Sequence, residues 1–186
     1  MAQKPQRLLI VTGPESSGKT TLAQWLARRL STPLVPEIAR GYLEARQALS
    51  AREAQGAYTA DDVAEIALLQ QSEEHAVLAR GHACVVADTD YRTIELWFQE
   101  KYPDRHFVRP TPADAGTSVE RYYLLCLPDL AWQPDPLREN PFDRHRLFQR
   151  QLRKLDADAA AYRVIWGQGA FRERLAWQYL KTLLGE

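Results

Sequence analysis

Apolar positions along the chain follow two kinds of pattern. Five short runs are almost continuously apolar: RLLIVTG (7–13), PLVP (33–36), HACVVAD (82–88), RYYLLCLP (121–128) and YRVIWG (162–167). A strand with one wet face alternates apolar with polar residues, so unbroken runs predict parallel strands covered on both sides. Between the runs, apolar residues recur at helical spacing. Leu22, Trp25, Leu26 and Leu30 share one face, and Val63, Ile66, Ala67 and Val77 share another. Thr59 and Asp62 have capping-box spacing ahead of the second helix. TIELWFQEKY follows the third run, and FRERLAWQYLKTLL closes the chain as an amphipathic helix. Strand–helix alternation of this kind predicts an α/β fold: a doubly wound, five-stranded parallel sheet with helices on both faces.

Two stretches interrupt the alternation. PDRHFVRPTPADAGTS (103–118) bears Pro, Gly and Ser and reads as a mobile loop. LPDLAWQPDPLRENPFDRHR (127–146) is stiffened by Pro128, Pro134, Pro136 and Pro141. It carries Arg138, Arg144 and Arg146, with Arg150 just beyond. With 186 residues and no internal repeat, the expectation is a single domain, 1–186, with a lid at about 128–146.

Composition narrows the function classes. Lys plus Arg, 24, equals Asp plus Glu, 24, so no global basic field recruits nucleic acid and any anion site must be built locally. No apolar run approaches the roughly 20 residues that span a bilayer. MAQKPQR has no cleavable apolar region behind it, and a cytoplasmic protein is expected. Cys84 and Cys126 sit in apolar runs without metal or disulfide spacing and read as buried, reduced thiols. His75, His82, His106 and His145 show no metal or triad spacing. Trp25, Trp166 and Trp177 are expected in the core.

The candidate chemistry begins where the first run ends. Gly13, Gly18, Lys19 and Thr20 have Walker A spacing, after a predicted strand and before a predicted helix. Glycines let such a loop close around an anion, and the N–H groups of Glu15 to Thr20 point at a β-phosphate. Lys19 would bridge the β- and γ-phosphates of ATP, and the Thr20 hydroxyl would bind Mg²⁺. Asp88 ends the third run, where a carboxylate holds the Mg²⁺ shell. Asp90 either touches substrate or caps the helix starting near Tyr91. Glu37 follows the second run, with Arg40 and Tyr42 close behind. There a carboxylate can accept a hydroxyl proton or bind a sugar diol, an arginine can pair with it or a phosphate, and Tyr42 can stack on a flat ring. Against this stands an ordinary surface pair three residues apart. Tyr91 and Trp97 are candidates to line a pocket for a flat base. Arg138, then Arg144, best suit a lid that neutralises a transferring phosphoryl group and excludes water. Arg150 and Arg153 read as a solvated helix face.

GPESSGKTTL, VPEIARGYL, the Tyr58 to Ala67 block, DTDYRTIELW and LLCLPDLAWQPDPLREN occur in that order. Together, from residue 7 to about 180, they resemble the bacterial ribosylnicotinamide kinases, the kinase part of NadR-type proteins. The resemblance implies a nucleoside-kinase-like P-loop fold and transfer of the ATP γ-phosphate to the 5′-hydroxyl of nicotinamide riboside. By that likeness Gly13, Pro14, Glu15, Ser16, Ser17, Gly18, Lys19, Thr20 and Thr21 bind ATP. Asp88 serves Mg²⁺ or the incoming hydroxyl, Glu37, Arg40 and Tyr42 border the riboside, and Arg138 and Arg144 belong to the lid. Longer members carry a DNA-binding or adenylyltransferase part ahead of this one, so neither regulation nor completion of NAD synthesis is expected of this chain alone. Two other readings remain: a kinase for another flat-ringed metabolite, and a non-catalytic ATP-binding module. The guanine-reading N/T-K-x-D pattern is absent, which argues against a GTPase switch.

Overall fold

The computed structural model describes residues 5–53, 58–110 and 119–184. Five parallel strands form one sheet: β1 (Gln6–Thr12), β2 (Leu34–Val35), β3 (Cys84–Asp88), β4 (Val119–Cys126) and β5 (Ala161–Ile165), in the order β2-β3-β1-β4-β5. Six helices connect or follow them: α1 (Lys19–Leu30), α2 (Ile38–Glu53), α3 (Ala60–Leu78), α4 (Tyr91–Lys101), α5 (Arg144–Ala157) and α6 (Gly169–Leu184). All five apolar runs are strands, and the second keeps only two residues in the ladder.

The unbroken apolar runs are explained by helices on both faces. Leu9 and Val11 of β1 point to one side and pack with Leu22 and Leu26 of α1 and with Ala176 and Leu180 of α6. Leu8 and Ile10 point the other way, onto Val77 and Leu78 of α3 and Phe148 and Leu155 of α5. A satellite core joins α2, α3 and α4 through Leu43, Val63, Ile66, Ile94 and Phe98. Phe107 is buried in it, so the first part of the expected 103–118 loop is pinned; residues 111–118 lie outside the described residues.

Local chemistry sets the helix starts. Thr59 and Asp62 form the expected capping box on α3: the Asp62 N–H donates to Thr59 Oγ1 and the Thr59 N–H to Asp62 Oδ2. Asp90 caps α4, accepting from the Arg92 and Thr93 N–H groups. Cys84 and Cys126 are free thiols, the latter fully buried. Trp25 and Trp177 meet edge to face, with ring centroids 6.5 Å apart, against the α1–α6 side. Trp166 departs from expectation. It lies past the end of β5, 48% exposed, against the exposed ring of Phe171. No described helix is long and apolar enough to cross a membrane.

Candidate functional site

In an open parallel sheet, ligands gather outside the carboxyl ends of the strands. There β1 runs into the loop 13–18 and then α1. Gly13 (φ 151°) and Gly18 (φ 75°) both have positive φ. A Cβ on Gly13 would sit 2.7 Å from the Cys126 carbonyl oxygen, so only glycine lets the loop lie against the end of β4. Gly18 is the N-cap of α1 and has no side-chain cap, leaving that helix terminus free for an anion.

The loop forms one wall of a cavity of about 310 Å³. Gly13 through Thr21 all line it, together with Glu37, Arg40, Thr89, Trp97, Arg138 and residues of the strap between β4 and α5. Of the residues read from the sequence as acceptor-side, Glu37, Arg40 and Trp97 meet here. Three do not. Asp90 has no exposed surface; besides capping α4, it accepts from the Tyr123 hydroxyl (2.8 Å) and pairs with Arg92 (3.4 Å). Its geometry is that of the cap, and it does not line the cavity. Tyr91 is buried in the satellite core beneath Arg92. Tyr42 turns its hydroxyl to Asp62 (3.0 Å) and Glu65 (2.8 Å) instead of lining the cavity.

Asp88 sits at the end of β3, 2% exposed, behind the cavity wall. Its Oδ1 is buried with no hydrogen-bond partner. Burial pushes the carboxyl up to about 6; the Lys19 ammonium pulls it back, Glu37 adds to the rise, and the Thr20 hydroxyl opposes it. A buried carboxylate oxygen without a partner, beside a threonine hydroxyl at the end of a phosphate loop, suits a hydrated divalent cation. The next residue, Thr89, holds φ 72° although it is β-branched, and its N–H donates to the Val11 carbonyl (2.9 Å). Such a conformation is costly and persists where the surrounding structure over-determines it. It turns the chain sharply from Asp88 into the cap at Asp90, and Thr89 itself lines the cavity.

The strap between β4 and α5 crosses the mouth and is tied on three sides. From α2, Arg40 pairs with Asp135 (3.0 Å). From beyond the satellite core, Lys101 pairs with Glu139 (2.6 Å) and the Tyr58 hydroxyl donates to the same carboxylate (2.9 Å). From the phosphate loop, Glu15 accepts the Glu139 and Asn140 N–H groups. Arg138 lines the cavity while donating to the Gln133 carbonyl (2.6 Å). Arg144 is held at the loop rather than in the cavity, donating to the carbonyls of Leu130 (2.9 Å) and Ser16 (3.4 Å) beside Trp132. Arg150 corrects the expectation of a solvated face: it pairs with Glu100, and both line the cavity. Arg153 is exposed as expected.

Arg172 of α6 escaped the sequence reading. It is 5% exposed and donates to the carbonyls of Ser17, Gly167 and Leu127 and to Asp129, joining the phosphate loop to the ends of β4 and β5. A signal existed, because Arg172, Ala176 and Leu180 recur every four residues, placing one charge on an apolar stripe. Tyr58, Lys101 and Glu139 lie far apart in the chain and carried no such signal.

Residues 8–174 match the family model described as an AAA domain. The chain belongs to this family. Its sheet, phosphate loop and helices on both faces are those of a P-loop NTPase fold. No curated protein matches the sequence. Among solved structures the AAA domain is similar to a NadR protein in complex with NR (20% identity, TM-score 0.66, covering 97% of this chain and 52% of that one). A NadR protein in complex with NAD and AMP-PNP is also similar (19%, 0.59, 95% and 49%). So is a deoxyadenosine kinase from M. mycoides with bound dATP (11%, 0.57, 94% and 99%). The chain spans about half the length of the NadR chains it matches. At these identities the likeness establishes the shared fold, and the resemblance seen in the sequence is borne out at that level.

Proposed function

We propose that this AAA domain is an ATP-dependent small-molecule kinase whose acceptor is the 5′-hydroxyl of nicotinamide riboside. One observation carries the reading: the phosphate loop, a cavity-lining carboxylate and a strap arginine face a single cavity of about 310 Å³, large enough for a nucleoside-sized acceptor beside the phosphates. A hydrolytic switch needs no such acceptor space. The similarity to a NadR protein in complex with NR supports this choice of acceptor.

In this reading the N–H groups at the start of α1 and the Lys19 ammonium hold the β- and γ-phosphates. Thr20 and Asp88 would hold Mg²⁺, which when bound would neutralise charge on the phosphate oxygens. Glu37 lines the cavity and Asp88 does not, so Glu37 orients the acceptor hydroxyl and receives its proton as the phosphoryl group transfers. Arg138 faces the phosphates from the strap, which excludes water that would otherwise take the phosphoryl group. Arg40 and Trp97 border the acceptor.

The test is ADP release with nicotinamide riboside, with pyrimidine and purine nucleosides, and with no acceptor. Nicotinamide riboside should give the highest rate; a rate no higher than the acceptor-free background refutes the assignment. Lys19→Ala and Glu37→Gln should each lower turnover at least about 100-fold. The exposed Arg153→Ala serves as the control and should stay within twofold of the parent.

A further inference from the structure

Walker A spacing constrains Gly13, Gly18, Lys19 and Thr20 but leaves open, among others, the second residue after Gly13. Here that residue is glutamate, a puzzling choice beside the negative charge of a nucleotide. Its geometry suggests why. The loop backbone faces the cavity, while the Glu15 carboxylate reaches the strap, 124 and 125 residues further along the chain. Glu15 Oε2 accepts the Asn140 N–H at 2.9 Å and the Glu139 N–H at 3.1 Å, and Oε1 accepts the Glu139 N–H at 3.2 Å. Its neighbour reinforces the join: Ser16 Oγ accepts the Gln133 N–H at 3.2 Å. Asn140 and Glu139 directly follow Arg138, the strap arginine that lines the cavity.

We propose that Glu15 is a positioning residue, a latch that couples the phosphate loop to the strap and so sets where Arg138 stands over the phosphates. Two N–H groups gathered on one carboxylate give the strap a single register against the loop. Hydrogen bonds to a charged acceptor are stronger than neutral ones and depend steeply on geometry. The strap ties from Arg40, Tyr58 and Lys101 reach it from the other side of the cavity, that of α2 and α4. Glu15 supplies the corresponding carboxylate tie from the donor side. Its consequence for turnover rests on the kinase reading above, whereas the latch itself does not.

Hydrogen exchange at the Glu139 and Asn140 amides in nucleotide-free protein tests the latch directly. Glu15→Ala should raise both rates at least about tenfold. Glu15→Gln, which keeps a carbonyl oxygen able to accept, should raise them less than threefold. If Glu15→Ala fails to fold, Glu15→Asp replaces it; one methylene shorter, it should still raise exchange at least threefold. Unchanged exchange in the folded truncated variant overturns the proposal, whatever the enzyme's substrate proves to be. The functional arm compares rates with and without acceptor. Glu15→Ala should lower kcat about tenfold, with KM for ATP moving less than threefold, and Glu15→Gln should recover most of the loss. A rise in KM with unchanged kcat, or an equal loss in the glutamine variant, refutes the positioning role even where exchange responds.

Discussion

At Asp88 a carboxylate is held almost out of water, with one oxygen unpartnered and its pKa pushed up to about 6 by burial. The folded value lies above the ordinary 3.8, so folding favours the protonated form. Below pH 3.8 both states carry the proton and the group contributes nothing. As pH rises from there to about 6, the unfolded chain loses its proton first and folded stability falls, levelling off above 6. The full loss is up to about 3 kcal/mol, at 1.36 kcal/mol for each pKa unit. Asp88→Asn should therefore stabilise the metal-free protein against urea at pH 8, with the difference vanishing below pH 4, while turnover is lost. Equal stabilities at pH 8 would refute the strained-carboxylate account. The end-of-strand position of Asp88 was legible in the sequence. The choice between substrate contact and cap at Asp90 was not, because it depended on Tyr123 of β4 reaching the same carboxylate.

Among the elements, α6 has the largest unforeseen part. Its amphipathic stripe places Ala176 and Leu180 against the sheet, and the same stripe carries Arg172 under the phosphate loop. One guanidinium satisfies three carbonyls and a carboxylate at the junction of β4, β5 and the loop. Arg172 is buried while Asp129 is exposed, so removing the guanidinium costs chiefly through the carbonyls left without a donor, about 1–3 kcal/mol for each buried group. Arg172→Met should destabilise the protein by about 3 kcal/mol in urea titrations and weaken nucleotide binding, because the Ser17 carbonyl loses its anchor. A buried ion pair links α3 to β4. Burial pushes Glu74 up to about 7, against the pull of Arg121 at 2.9 Å. Helix starts, by contrast, were readable locally: Thr59 with Asp62, and the glycine at residue 18, act within four residues of themselves.

Across the whole molecule, the strand order β2-β3-β1-β4-β5 sets the phosphate loop between Asp88 on one neighbour of β1 and the strap that leaves the other. The two halves of the cavity thus come from opposite sides of the central strand and meet only when the strap lies across them. A ligand bound only by the folded protein stabilises it by mass action, about 2.7 kcal/mol at a hundred times Kd. For a domain of this size that is roughly 5–10 °C in Tm. ATP with Mg²⁺ should give a shift of that size in a thermal melt, and Lys19→Ala should give none. A full shift in that variant would mean that the nucleotide binds elsewhere.

The sequence by itself determined the fold class, the five strands, the phosphate loop and the carboxylates at two strand ends. Each rests on interactions short in sequence: apolar period, glycine spacing and capping geometry. The tertiary structure decided which of the other polar residues share a cavity. Trp97, Arg138 and Arg150 join Glu37 there, while Tyr42, Asp90 and Tyr91 turn to partners elsewhere. Trp166 likewise remained half-exposed: it follows the last residue of β5 and meets the ring of Phe171, which is itself exposed. A side chain's role depends on what the rest of the chain brings within hydrogen-bonding distance. For Glu15 those partners lie more than 120 residues away, beyond the reach of any local pattern.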